Sequence, residues 1–496
     1  MMTPEFEVFH RSLLMAACFA CLLAAGCATG PALVGPSALP SHPALPDPLV
    51  MADGRPVASP DQWLKQRRPE LKTLFEQYMY GRIPAKPVHE KMSVVAEYPD
   101  FLDGQATLKL VSIEADPNAA ARAGRWPNRT AWGREWSNDA NGTPSLAFGS
   151  DSVGADVAPY PSPPPLAPRI DLMLIIPKST GGSGAHAPAS KPPVFLAMNF
   201  CGNQALTPDA RVPLAHGWLA SSCPGCSDNT ATETTRGMQA ADWPLAEIVR
   251  RGYALAAFYS GDIDSDRKDV SDGLYAWLAK GDAARNEPAS RGTIAAWAWG
   301  FERCVDYLAT DRDIDSSRIA AVGHSRNGKA ALLAAAFDER IAMAFPHQAG
   351  CGGTAPSRGK TGESVKAIND QFPHWFNAAF KQFNDAPDRL PIDQNCLVAL
   401  CAPRPVLISA GQADQWSNPD GQFQVVQAAD SVYRFLGAEA ATNCQLPALA
   451  SGAPAAPPLC QFVGGHLAYY LREGKHSMTP VDWTMFMDFA DKQWRH

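Results

Sequence analysis

Short, near-continuous apolar runs alternate along the chain with stretches in which apolar residues recur every three or four positions. The runs at 172–176, 193–199, 253–259, 319–322, 405–410 and 467–471 lack the polar alternation of a half-exposed strand, so they predict strands buried on both faces. Helical periodicity is clearest at 290–309, 327–337, 420–436 and 481–494. Such strands interleaved with helices predict an α/β protein, a mainly parallel sheet in a three-layer sandwich. No internal repeat interrupts the alternation.

Three stretches break the pattern. An apolar run at 12–25 follows His10 and Arg11 and closes on Leu23-Ala24-Ala25-Gly26-Cys27. It is short for a membrane-spanning helix and fits the core of an export signal over residues 1–26. Its end has the form of a lipobox, which predicts cleavage before Cys27 and acylation of that cysteine, although Glu5 and Glu7 make the leader less basic than usual and Ala25 also permits plain cleavage. The expected location is therefore beyond the inner membrane, as an outer-membrane lipoprotein or a periplasmic or extracellular protein. Pro36, Pro40, Pro43, Pro46 and Pro48 then predict a spacer over 27–60, with the catalytic body at 61–496 beginning near Trp63. A long surface insertion is expected near 116–168 and a shorter one at 446–458.

The 496 residues, 46% of them hydrophobic, suffice for one large domain. A net charge of -7 with no dense Lys/Arg stretch argues against nucleic acid as a partner. Nine cysteines follow Cys27; outside the cytosol some should pair, and an odd count leaves a thiol free or bridged between chains. Cys223-Pro-Gly-Cys226 has redox or zinc spacing, but without a second such pair it reads as a loop disulfide or two ordinary thiols.

The chemistry concentrates at 318–329. An apolar strand runs into Gly323-His324-Ser325-Arg326-Asn327-Gly328-Lys329 and then into an alanine-rich helix. A serine on a sharp strand-to-helix turn projects its hydroxyl clear of the sheet, where backbone N–H groups and the helix dipole face a developing oxyanion. Ser325 is thus the candidate nucleophile. Asn327 stands where a second glycine is usual, which should hold the helix slightly farther from the strand.

In this arrangement the acid and then the base follow the serine in the chain. His476 follows the last predicted strand and lies at its carboxyl end, whereas His466 precedes that strand; His476 is favoured. His347 and His374 follow the serine too closely, and His496 is terminal. Asp414 is the first carboxylate after the strand at 405–410 and can orient an imidazole. Asp420 is its competitor, but stands where an aspartate commonly caps a helix.

These residues also carry a resemblance. Gly323-His324-Ser325-Arg326-Asn327-Gly328-Lys329 resembles the G-x-S-R-x-G-K signature of glucuronoyl esterases, carbohydrate esterase family 15, and especially their bacterial members. The similarity runs from about Asp61 to the end, through Asn199-Phe200-Cys201-Gly202-Asn203, Asp414-Gln415-Trp416, Gly474-Lys475-His476 and Asp482-Trp483. It implies the α/β-hydrolase fold and hydrolysis of esters between (4-O-methyl)glucuronic acid of glucuronoxylan and lignin alcohols, with no metal or organic cofactor. The protein is expected to be monomeric, touching a membrane only through its lipid anchor.

By resemblance Arg326 supports the oxyanion, Lys329 donates to sugar hydroxyls at the pocket mouth, and Trp416 and Glu363 contact the sugar. Fungal relatives place the triad acid shortly after the nucleophile helix, where this chain has Phe345-Pro346-His347-Gln348-Ala349-Gly350; many bacterial members use a later aspartate, matching Asp414. Two rivals remain: an acetyl xylan or general carboxylesterase on the same fold, and a non-catalytic surface carbohydrate-binding protein.

Overall fold

A computed structural model describes residues 33–115, 137–138, 144–145, 167–178, 191–269, 271–279, 291–359, 361–438 and 457–494. The signal segment with Cys27, and nearly all of the segments at 116–168 and 446–458, lie outside the described residues.

Ten strands form one sheet: β1 (Lys91–Phe101), β2 (Ala106–Glu114), β3 (Arg169–Pro177), β4 (Val194–Asn199), β5 (Ala254–Tyr259), β6 (Ile319–His324), β7 (Ile341–His347), β8 (Val406–Gly411), β9 (Phe462–Gly464) and β10 (Leu467–Arg472). Their order is β1-β2-β3-β5-β4-β6-β7-β8-β10-β9. Every pair from β5 to β10 is parallel, and the flanking strands are antiparallel.

All six expected strands are present; β1, β2, β7 and β9 are additions. β1 is an edge strand, largely exposed and broken by Ser93, Glu97, Pro99 and Asp100, so it shows no long continuous apolar run. β7 reads Ile-Ala-Met-Ala-Phe directly after a helix, and its alanines favour more helix by propensity. The slot between β6 and β8 overrides them.

Four long helices match the periodicity to within three residues: α1 (Thr293–Leu308), α2 (Arg326–Phe337), α3 (Pro419–Phe435) and α4 (Pro480–Trp494). Strand residues alternate between two apolar layers. Val194, Leu196 and Met198 of β4 join the core built with α1, α2 and α3, while Phe195 and Ala197 face the core of α4 and helix Leu245–Arg250. Burying each such large side chain contributes on the order of 2 kcal/mol. No helix among the described residues is long and apolar enough to cross a membrane.

The proline-rich stretch differs from the spacer expected of it. From Pro36 to Val57 the chain lies against the body: Arg358 Nη1 donates to the carbonyls of His42 and Ala44, both at 2.9 Å, Asn395 to Pro46 at 2.8 Å and Arg67 Nε to Pro48 at 3.0 Å. Prolines lack an N–H, but their segment still offers carbonyls, and the buried Arg67 and Arg358 need acceptors. The folded body therefore begins well before Trp63.

Candidate functional site

Ser325 occupies the turn between β6 and α2 with φ 58° and ψ −125°, a conformation sparsely populated by non-glycine residues. Its N–H donates to His347 O at 2.9 Å, tying the turn to β7. The helix does not sit back from the strand. A Cβ on Gly323 would stand 2.1 Å from Asn327 O, and one on Gly328 would stand 2.8 Å from Gly323 O, so the two glycines permit close packing. Asn327 is buried instead, donating its amide to Met198 O at 3.0 Å.

β8 and β10 are parallel neighbours, so the loops leaving their carboxyl ends are adjacent. They bring His476 Nδ1 to 2.6 Å from Asp414 Oδ2. Burial alone would raise the Asp414 carboxyl, but hydrogen bonds from His476 and Ser417 outweigh it and hold it below its ordinary value. The imidazole of His476 is 41% exposed. Its ring centre lies 4.6 Å from that of His324, the residue before Ser325.

The competitors lie elsewhere. Asp420 is exposed in the first turn of α3, whose cap is Asn418, accepting from Gly421 N at 2.9 Å; the capping role expected of Asp420 belongs to Asn418. His466 sits at the opposite end of β10, its carbonyl accepting from Val406 N. His347 is buried between Ser409 Oγ at 2.8 Å and Ser477 O at 3.0 Å, and His374 binds Asp266 at 2.9 Å.

Arg326 is sandwiched by aromatic rings, its guanidinium carbon 5.5 Å from the ring centre of Phe200, 5.6 Å from Phe372 and 5.1 Å from Trp375. Nη1 pairs with Asp266, which also accepts from Trp375 Nε1 at 2.7 Å. Burial would raise Asp266, but the hydrogen bond from His374, the Arg326 charge and the Trp375 N–H together hold it low. The Arg326 charge is thus fixed beside Ser325 before any ligand arrives. Sequence reasoning missed Asp266 and Trp375, and weighed His374 only as a base, not as a partner of Asp266. One signal was available: Asp262, Asp264 and Asp266 follow the carboxyl end of β5, the sheet edge from which Ser325 emerges.

Lys329 is not at the pocket mouth as expected; it is 4% exposed. Nζ donates to Ala349 O at 2.5 Å and Cys351 O at 2.6 Å, leaving one N–H. Burial lowers its pKa, opposed by the charge of Glu363. Burial likewise raises Glu363, opposed by Lys329 and by a hydrogen bond from the Trp416 side chain, with His476 and Arg326 in electrostatic reach. Glu363 N–H also donates to Trp416 O at 2.8 Å. Trp416 is 57% exposed, so it is not a core aromatic.

Cys223 pairs with Cys201 rather than within its own CxxC, and Cys226 is a free thiol. The disulfide lies next to Phe200, one wall of the Arg326 sandwich. Among the described residues no group of three or more His, Cys, Asp or Glu could hold a metal ion.

A family model described as glucuronyl esterase, fungi, matches residues 250–437. A carbohydrate esterase of an unknown prokaryotic organism is 36% identical over 448 residues, 90% of this chain and 89% of its own length. Among solved structures, a promiscuous CE15 esterase from a marine bacterial metagenome is 36% identical with a TM-score of 0.71, covering 92% of this chain and 98% of its own. The glucuronoyl esterase of Solibacter usitatus is 31% identical, with a TM-score of 0.71 over 92% of this chain and 99% of its own. A 4-O-methyl-glucuronoyl methylesterase of Wolfiporia cocos is 31% identical over 216 residues, 40% of this chain and 52% of its own.

Proposed function

Because the chain belongs to the glucuronoyl esterases of carbohydrate esterase family 15, and so is a carboxylic ester hydrolase, we propose that it cleaves esters joining (4-O-methyl)glucuronic acid of glucuronoxylan to lignin alcohols. The observation that carries this reading is the 2.6 Å His476–Asp414 contact at the edge where Ser325 is held in its strained turn.

In the proposed reaction His476 Nε2 takes the Ser325 proton as Oγ attacks the uronoyl carbonyl. The first N–H groups of α2, which have no partner within the helix, and the prepaid charge of Arg326 stabilise the oxyanion. His476 then gives its proton to the departing alcohol, and water hydrolyses the glucuronoyl-enzyme through the same base. Asp414 holds the tautomer and stabilises the imidazolium. The remaining Lys329 N–H, the Glu363 carboxylate and the exposed Trp416 ring hold the sugar hydroxyls on the acyl side.

A broader ester range is the second reading, favoured by the 36% identity to an esterase described as promiscuous. Hydrolysis of benzyl glucuronate against an acetyl ester, by purified mature protein and its Ser325→Ala variant, separates the two. Preferred cleavage of the uronate ester, lost in the variant, is expected; release of acetate alone would sink the substrate assignment while leaving the nucleophile.

The mature protein is further proposed to be a monomer anchored through acylated Cys27. Radiolabelled fatty acid incorporated into the wild type but not into Cys27→Ala tests the anchor.

A further inference from the structure

Gln348, at the end of β7, grips the chain on both sides of His476. Its Oε1 accepts the Ser477 N–H at 2.9 Å and its Nε2 donates to Lys475 O at 3.1 Å. One neighbour can only donate and the other only accept, so a single amide orientation satisfies both. The same Oε1 lies 2.9 Å from His324 Nε2, which must therefore carry a proton. Burial, together with the charges of His347 and His476, holds His324 well below the ordinary imidazole value, so it stays neutral.

The cradle is closely built. Gln348 is 1% exposed, adopts φ 48° and donates its own N–H to Ser409 O at 2.8 Å. A Cβ on Gly411 would stand 2.7 Å from Gln348 Nε2, 2.7 Å from Gly474 O and 2.9 Å from Lys475 O, so only glycine leaves room for the amide. Asp414 holds one nitrogen of the His476 ring but does not stop the ring swinging about that bond. Restraint of the backbone before and after the residue does.

We propose that Gln348 is a positioning residue that fixes the His476 loop against the nucleophile turn, acting through Lys475 and Ser477 and not on the substrate. The assignment rests on His476 being the general base.

The experiment compares wild type, Gln348→Met, Gln348→Glu, Gly411→Ala and Ser325→Ala on benzyl glucuronate, with thermal midpoints in parallel. Gln348→Met and Gly411→Ala should each lose at least tenfold in kcat with KM within threefold. Gln348→Glu keeps the shape and, when protonated, the same donor and acceptor; when ionised it sets a carboxylate against Lys475 O. The groups facing it are His324 from β6, His347 beside it on β7, and Arg472, whose Nη2 reaches Lys475 O at 3.4 Å. Its kcat relative to wild type should therefore fall as pH rises, an effect that mere loss of packing does not produce. Wild-type kcat in Gln348→Met, or a flat pH ratio in Gln348→Glu, overturns the positioning role alone. Failure of the wild type to turn over, or full activity in Ser325→Ala, overturns the esterase reading and this one together.

Discussion

Replacing Asp414 with Asn removes one negative charge at nearly constant volume. In the proposed reaction His476 takes up the Ser325 proton, and the charge centres then stand about 4 Å apart, a separation worth about 1 kcal/mol in water and about 4 kcal/mol at an effective dielectric of about 20. The Asp414 side chain is 5% exposed and that of His476 41%. The pair thus falls between these limits, near 3 kcal/mol, or about 150-fold in rate. Asn adds a second loss, because its amide can turn an N–H toward Nδ1 and favour the tautomer with the proton on Nε2, the nitrogen that must accept from Ser325. Together these predict a fall of about 10³ in kcat, with KM little changed, since the charge develops only in the transition state. Initial rates on benzyl glucuronate measure it, with Asp420→Asn expected within twofold of wild type. The reasoning is refuted if Asp414→Asn keeps more than a tenth of kcat, or if Asp420→Asn is the variant that collapses.

Three further outcomes follow from the same geometry. Arg326→Lys keeps a charge but loses the planar fit between three rings and the Nη1 contact to Asp266, so kcat should drop about 10²-fold at unchanged stability slope in urea; parity with wild type would remove Arg326 from oxyanion support. Gly323→Ala forces a Cβ to 2.1 Å from the Asn327 carbonyl oxygen, and should cost about 3 kcal/mol in chemical denaturation as α2 is pushed off β6; a loss below about 1 kcal/mol would show that the helix can move freely. Asp266 and Asp414 are both held below their ordinary values. Each therefore contributes stability that is fully present above the unfolded value of about 3.9 and is lost as pH falls through its folded value. The thermal midpoint should drop on acidification below about pH 4, and Asp266→Asn should make that drop shallower; identical slopes would deny the linkage.

The sequence alone determined what depends on local order and composition. Continuous apolar strands between periodic helices can bury both sheet faces only as an α/β sandwich. A serine between an apolar strand and a small-residue helix, near Gly323 and Gly328, reads as a sharp turn. The meeting of His476 with Asp414 was legible because each is the first group of its kind after its strand, and parallel strands deliver such groups to one edge.

Tertiary structure decided everything set by long-range contact. Lys329 looks like a surface lysine on a helix, yet carbonyls twenty and twenty-two residues away, Ala349 and Cys351, draw it inside. Pro36–Val57 looks like a spacer until Arg67 and, from more than three hundred residues away, Arg358 claim its carbonyls. Asp266 carries no signature of its own, and Gln348 stood out only by its place in the region where fungal relatives have the triad acid. Their meaning arises from partners 60 and 129 residues away, Arg326 and Ser477, which no local pattern encodes, because the chain meets them only after the sheet has closed.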